Sequence, residues 1–143
     1  LIYLDTSVLV AYYYPEPLSE TVQKLVRAQT QPFISSLNEV ELLSALSRKI
    51  REGGLSAMDG ERIAALFSEH VGDGLYRRIP ISEQHYKMAQ DWLRDFQTAL
   101  RSLDALHLAV AAAAGLQLVT ADKAFASAAT SLGIATQFLS AQD

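Results

Sequence analysis

From Leu103 to Ala114 only Asp104 and His107 carry polar side chains, and Gly115 then leads straight into LQLVT, which reads as a strand. A helix that is apolar nearly all round has to be enclosed. If the strand it feeds belongs to a parallel sheet, the helix runs antiparallel to it. This one segment therefore places Asp104 at the head of a buried element. An ionised carboxylate there needs a compensating partner.

LIYLD, PFIS and IATQFL read as further short strands. TSVLVAYYY enters a short helix that PEP closes, because proline ends helices. SETVQKLVRAQ is amphipathic, with Ser19 as its expected N-cap. Over Leu37–Glu52, Val40, Leu43, Leu46 and Ile50 recur at helical spacing and predict the core-facing stripe, and the glycines at 53–54 stop the helix. SAMDGERIAALFSEH, SEQHYKMAQDWLRDF and KAFASAATSLG are helices, Ser102 is the expected N-cap before Leu103, and YRRIPI is a strand or an extended connector, since Pro80 sits badly in a central strand. Strands alternating with helices predict an α/β sandwich on a mostly parallel sheet, as one domain over residues 1–143.

A chain of 143 residues, 50% hydrophobic and 20% charged, suits one globular core. No apolar run approaches the ~20 residues that span a bilayer, and there is no basic-then-apolar leader, so no membrane partner is expected. With no cysteine, thiolate metal sites and cysteine nucleophiles are excluded, and a cytoplasmic location is expected. The formal net charge of −4 lacks the basic footprint of a general nucleic-acid binder, so any such role has to come from a local site.

Ligand sites of open parallel sheets gather outside the carboxyl ends of the strands. Asp5 ends LIYLD, Asp122 follows LQLVT by two residues, Glu39 and Glu41 lie in the helix after PFIS, and Asp104 joins them if its helix starts at the same edge. Two unit charges ~4 Å apart repel by about 4 kcal/mol at an effective dielectric near 20, so such a cluster either keeps protons or holds a cation. An all-oxygen donor set favours Mg²⁺ or Mn²⁺ over zinc, and carboxylates around such an ion are the apparatus of phosphodiester hydrolysis. Singly, each acid has an ordinary use, as a cap for Asp5, a first-turn residue for Asp104 or a turn residue for Asp122. Periodicity leaves the choice between Glu39 and Glu41 open. His107, one turn after Asp104, reads first as a hydrogen-bonded core histidine. The tyrosines at 12–14 read as packing, and Arg48, Lys49 and Arg51 as a solvated helix end that also suits RNA phosphates.

LDTSVLVAYYYPEP, ISSLNEVELLSAL, LRSLDALHLAVA and LVTADKAF, in that order, resemble the PIN-domain ribonucleases, most nearly the VapC-like toxins of toxin–antitoxin pairs. The resemblance implies a three-layer α/β/α sandwich with four or five short parallel strands. It carries the family's acids onto Asp5, Glu41, Asp104 and Asp122, as catalytic and metal-holding residues, with Thr6, Ser7 and Thr120 as hydroxyl neighbours that orient substrate. It also implies a Mg²⁺- or Mn²⁺-dependent endoribonuclease that cleaves RNA by in-line attack of water, forms a homodimer and is blocked by a cognate antitoxin protein. Two other readings compete. A non-catalytic module of the same fold would act only through a protein partner. An aspartate-based phosphatase would need a second acid two residues after Asp5, where Ser7 stands.

Overall fold

The computed structural model describes residues 1–29 and 31–141. In chain order its elements are β1 (Ile2–Leu4), α1 (Thr6–Tyr13), α2 (Ser19–Ala28), β2 (Phe33–Ser35), α3 (Ser36–Arg51) and α4 (Ala57–Gly72). There follow β3 (Arg77–Ile79), α5 (Glu83–Arg94), α6 (Ser102–Ala113), β4 (Gln117–Thr120), α7 (Lys123–Ser131) and β5 (Thr136–Phe138). The five strands form one sheet in the order β3-β2-β1-β4-β5, and every neighbouring pair is parallel. The fold is the expected three-layer α/β/α sandwich.

Side chains alternate across the sheet and divide the core in two. Ile2, Leu4 and Val119 pack with α1 to α4, whereas Tyr3 and Leu118 pack with α5, α6 and α7. The central strands β1 and β4 are covered on both faces, which is why their central residues are apolar. At one edge β3 exposes Arg77 and Arg78, charges that discourage pairing with another chain.

The chain builds outward from β1 to β2 and β3, then crosses back through α5 and α6 to enter β4 on the other side of β1. The strand order thus reverses between β1 and β4, and a crevice opens outside their carboxyl ends. Because α6 runs antiparallel to β4, its first turn stands at that same edge. Gly115, with φ 67°, makes the reversal from α6 into β4.

Three local expectations are corrected. The inward face of α3 is Asn38, Leu42 and Leu46, whereas Val40 and Leu43 are 66% and 53% exposed. Ser19 is the first residue of α2 rather than its cap, and its hydroxyl instead donates to the Tyr14 carbonyl and accepts from Glu16 N–H, tying down the PEP turn. Arg101, not Ser102, caps α6, whose first leucine, Leu103, is largely solvent-facing. Among the described residues no helix is long and apolar enough to cross a membrane.

Candidate active site

The crevice at the switch point is an open groove of about 500 Å³ whose walls include Asp5, Glu41, Asp104 and Asp122. Asp5 reaches it as the N-cap of α1, directly after β1. Asp122 reaches it as the N-cap of α7, accepting from the Phe125 N–H. Asp104 lies in the first turn of α6. Glu41 projects from the flank of α3, beside Ala45 and Arg48. Glu39 instead pairs with Arg78, away from the groove, so the structure separates the two glutamates that periodicity could not.

Among the described residues no three acidic or histidine side chains converge as a metal site. Each acid has hydrogen-bond or ionic partners, and two of the four share one. Asp5, almost fully buried, accepts from the Thr6 N–H at 2.8 Å and from the Ser7 and Thr120 hydroxyls at 2.7 Å each. Those two hydroxyls accept in turn from the Ala121 and Asp122 N–H groups. Asp104 and Asp122 share one guanidinium, each meeting Arg101 at 3.3 Å. Glu41 accepts from the Thr6 hydroxyl at 2.7 Å and from His107 Nε2 through one short hydrogen bond. The hydroxyls of Thr6, Ser7 and Thr120, expected to face substrate, are therefore spent on carboxylates, and Thr120 is fully buried.

His107 belongs to this site. Its ring is 1% exposed, and behind Nε2 its Nδ1 meets the Tyr3 hydroxyl at 2.5 Å. Tyr3 also meets the Ser35 hydroxyl and donates toward Asn38 Oδ1, while the Asn38 amide donates to the Leu4 carbonyl and the Thr6 hydroxyl. An ionised Glu41 only accepts, so the proton of the His107–Glu41 bond sits on Nε2. The polar chain runs from the interior of the sheet to one groove carboxylate. Sequence periodicity had no means to find Tyr3 or Asn38, which look like an ordinary strand residue and an ordinary first-turn residue. Tyr3→Phe should destabilise the fold by about 1–2 kcal/mol in urea unfolding, because it leaves His107 Nδ1 buried without its partner.

Burial pushes the Glu41 carboxyl up, but the hydrogen bond and charge of His107, with the Thr6 hydroxyl, outweigh it and hold the group below its ordinary value. Asp104 goes the other way: burial raises it, Arg101 pulls it down, and the Asp5 charge adds to the rise. Folding thus favours ionised Glu41, a contribution present above the unfolded value and lost as pH falls through the lowered one. Ionised Asp104 carries a penalty at neutral pH that disappears once the group is protonated. In melting curves at pH 7, Glu41→Gln should be less stable than wild type and Asp104→Asn more stable. The Asp104→Asn difference should fade as pH falls through the raised Asp104 value, whereas the Glu41→Gln difference should persist further and fade only below the ordinary glutamate range.

Three arginines line the same groove: Arg48 and Arg51 from the last turns of α3, and Arg101. Lys49 turns away and lies over the Tyr14 ring at 4.0 Å. The tyrosine run is packing: the Tyr13 hydroxyl meets His70 and Tyr76, and Tyr14 donates to the Gly54 carbonyl. An acidic chain thus gathers three guanidinium groups around its acids. The donor set also fits a hard divalent cation: it is all oxygen, Asp5 and Asp104 feel each other's charge, and the guanidinium spanning Asp104 and Asp122 is 77% exposed and free to leave.

The PIN domain model matches residues 2–130. Among curated proteins none matches significantly. Among solved structures, the chain is similar to VapC20 of Mycobacterium tuberculosis, a sarcin-ricin loop cleaving toxin, at 19% identity and a TM-score of 0.74, over 94% of this chain and 96% of that one. It is similar to VapBC2 of Rickettsia felis, solved with a DNA fragment from its promoter, at 17% identity and 0.70, over 98% and 100%. FitAcB of Neisseria gonorrhoeae matches at 18% and 0.69, over 99% of each chain.

Proposed function

Because the chain belongs to the PIN domain family, we propose that its acid-lined groove hydrolyses RNA phosphodiester bonds with Mg²⁺ or Mn²⁺. The observation that carries this reading is the meeting of four carboxylates and three arginines in one groove at the sheet's switch point. Asp5, Glu41, Asp104 and Asp122 are the residues that would hold the cation. When bound, it supplies Lewis-acid polarisation of the phosphate and acidifies the attacking water. Ser7 and Thr120 aim Asp5, and Thr6 and His107 aim Glu41, so two of the acids are pre-positioned by the fold. Arg48 and Arg51 draw the RNA backbone in, and Arg101 exchanges its carboxylates for a phosphate.

In this reading the chain is the toxin of a toxin–antitoxin pair, works in the cytoplasm as a homodimer, and is silenced when a cognate antitoxin protein covers the groove. Its likeness in fold to solved toxins and toxin–antitoxin complexes supports that reading. A second reading, a protein-binding module without catalysis, draws on the hold of Arg101 over two of the acids. A mixed RNA pool separates the two. The nuclease cuts it with Mg²⁺ or Mn²⁺ and stops on addition of EDTA, whereas the binding module leaves it whole in both conditions.

A further inference from the structure

A second concavity, of about 820 Å³, lies between the α5–α6 connection and α7. It shares two segments with the acid groove. Ala99 on its wall is two residues from Arg101, and Ala124 is two residues from Asp122. Two residues of chain span at most about 7 Å, so the cavity opens next to the groove. Its volume is that of small-ligand sites.

The two recesses differ in chemistry. The groove carries Arg48, Arg51 and Arg101, whereas the cavity is lined by no lysine or arginine and by two carboxylates, Asp91 and Asp95. A phosphate is thus welcome in the first and repelled by the second. Trp92, half-buried against the core, offers the cavity a flat apolar wall. The Ser131 hydroxyl donates to the Ser127 carbonyl, and the Thr98 hydroxyl accepts from the Leu100 N–H but keeps its own proton, so the Gln97 amide and the Thr98 and Ser127 hydroxyls are placed to meet a ligand. Asp91 is shared with Lys87, so Asp95 is the freer acceptor. The turn that brings Gln97 and Thr98 to the wall is made at Phe96, whose φ of 58° costs a non-glycine residue about 1 kcal/mol, so that wall has a defined conformation.

A flat, uncharged ligand with hydrogen-bond donors on its edge fits this lining. We propose that the cavity is a nucleobase subsite of the RNA groove: it takes one unstacked base from the strand whose phosphate lies among the arginines. Aromatic stacking and edge hydrogen bonds are the usual means of holding such a base. Carboxylate acceptors favour bases bearing an exocyclic amino group, so adenine, cytosine and guanine bind in preference to uracil. The proposal rests on the RNA reading of the groove, but its test needs neither metal nor cleavage.

Trp92 is the one tryptophan of the chain, so tryptophan emission, excited outside the tyrosine absorption band, reports on this cavity. The full-length Asp5→Asn protein in EDTA is titrated with four-nucleotide RNAs, all-uridine or with a single adenosine, cytidine or guanosine. Emission should change on binding, with an amino-bearing base bound at least about fivefold more tightly than all-uridine RNA. Ser127→Phe, which fills the cavity from an exposed position, should abolish both the response and the preference, with Ala124→Phe as the second variant. A silent Trp92 with bound RNA, equal affinity for all four oligonucleotides, or a response untouched by the filling variants would overturn the subsite. If those titrations succeed while wild type cleaves no RNA, the subsite stands and the hydrolytic reading fails.

Discussion

Asp5→Asn should lower RNA cleavage more than about 100-fold while leaving a folded protein. Partners that merely orient a metal-holding residue cost 10- to 100-fold when removed, so losing the holding charge itself costs more. The fold tolerates the change because every group around Asp5 has a second use. The Ser7 and Thr120 hydroxyls already accept from the Ala121 and Asp122 N–H groups, and they can rotate to accept from an amide instead of donating to a carboxylate. Asparagine is also among the best N-caps, so α1 keeps its first-turn bond from Thr6 N–H. Circular dichroism and a melting curve beside the cleavage assay separate the two effects. A protein that melts at least as high as wild type, and yet does not cut, is the expected result.

His107→Leu should cut activity about 10- to 100-fold and stability by about 2–3 kcal/mol together. Leucine fills part of the space but takes one partner from each of two polar groups. Tyr3 loses its 2.5 Å partner, and Glu41 loses the donor that helps hold it ionised. Glu41 then keeps only the Thr6 hydroxyl, which leaves its carboxylate less well fixed, and an acid 22% exposed will turn toward water. His107→Gln restores a donor of similar reach, and should recover more activity than stability because it cannot also satisfy Tyr3. A loss of stability with undiminished cleavage in both variants would make His107 a core residue and nothing more. Nitrogen-15 spectra of the imidazole give an independent reading: Nε2 carries a proton.

The sheet was legible because its strands are short, mostly apolar runs between helical segments, and the buried stretches Ile2–Leu4 and Leu118–Val119 carry no charge. The placement of Asp104 followed from direction alone, since a helix feeding a parallel strand must start at the strand's carboxyl edge. The rotation of α3 was not legible. Val40, Leu43, Leu46 and Ile50 make a plausible apolar stripe, but the helix turns inward on Asn38, Leu42 and Leu46. Its inner face is anchored by a polar residue whose partners, Tyr3 and Ser35, lie more than one element away in sequence or at the helix cap. Hydrophobic spacing counts such a residue as solvent-facing. For the same reason the compensation of the acids was invisible: the donors to Glu41 come from α1 and α6, and the guanidinium on Asp104 and Asp122 from the residue that caps α6. Charge alone allows protons or a cation, and the fold supplies a third solution, donors within reach of every carboxylate, with Arg101 shared between Asp104 and Asp122.

The measurement that bears most directly on the groove is calorimetric titration of Mn²⁺ and Mg²⁺ into wild type and Asp5→Asn, paired with cleavage of one RNA pool at each metal concentration. Any copurified antitoxin has to be removed first. Wild type should bind the ion, cut RNA in proportion to its occupancy, and lose both properties together in Asp5→Asn. Undiminished cleavage by Asp5→Asn, or by wild type in EDTA, would contradict a carboxylate-held cation at the switch point of this sheet.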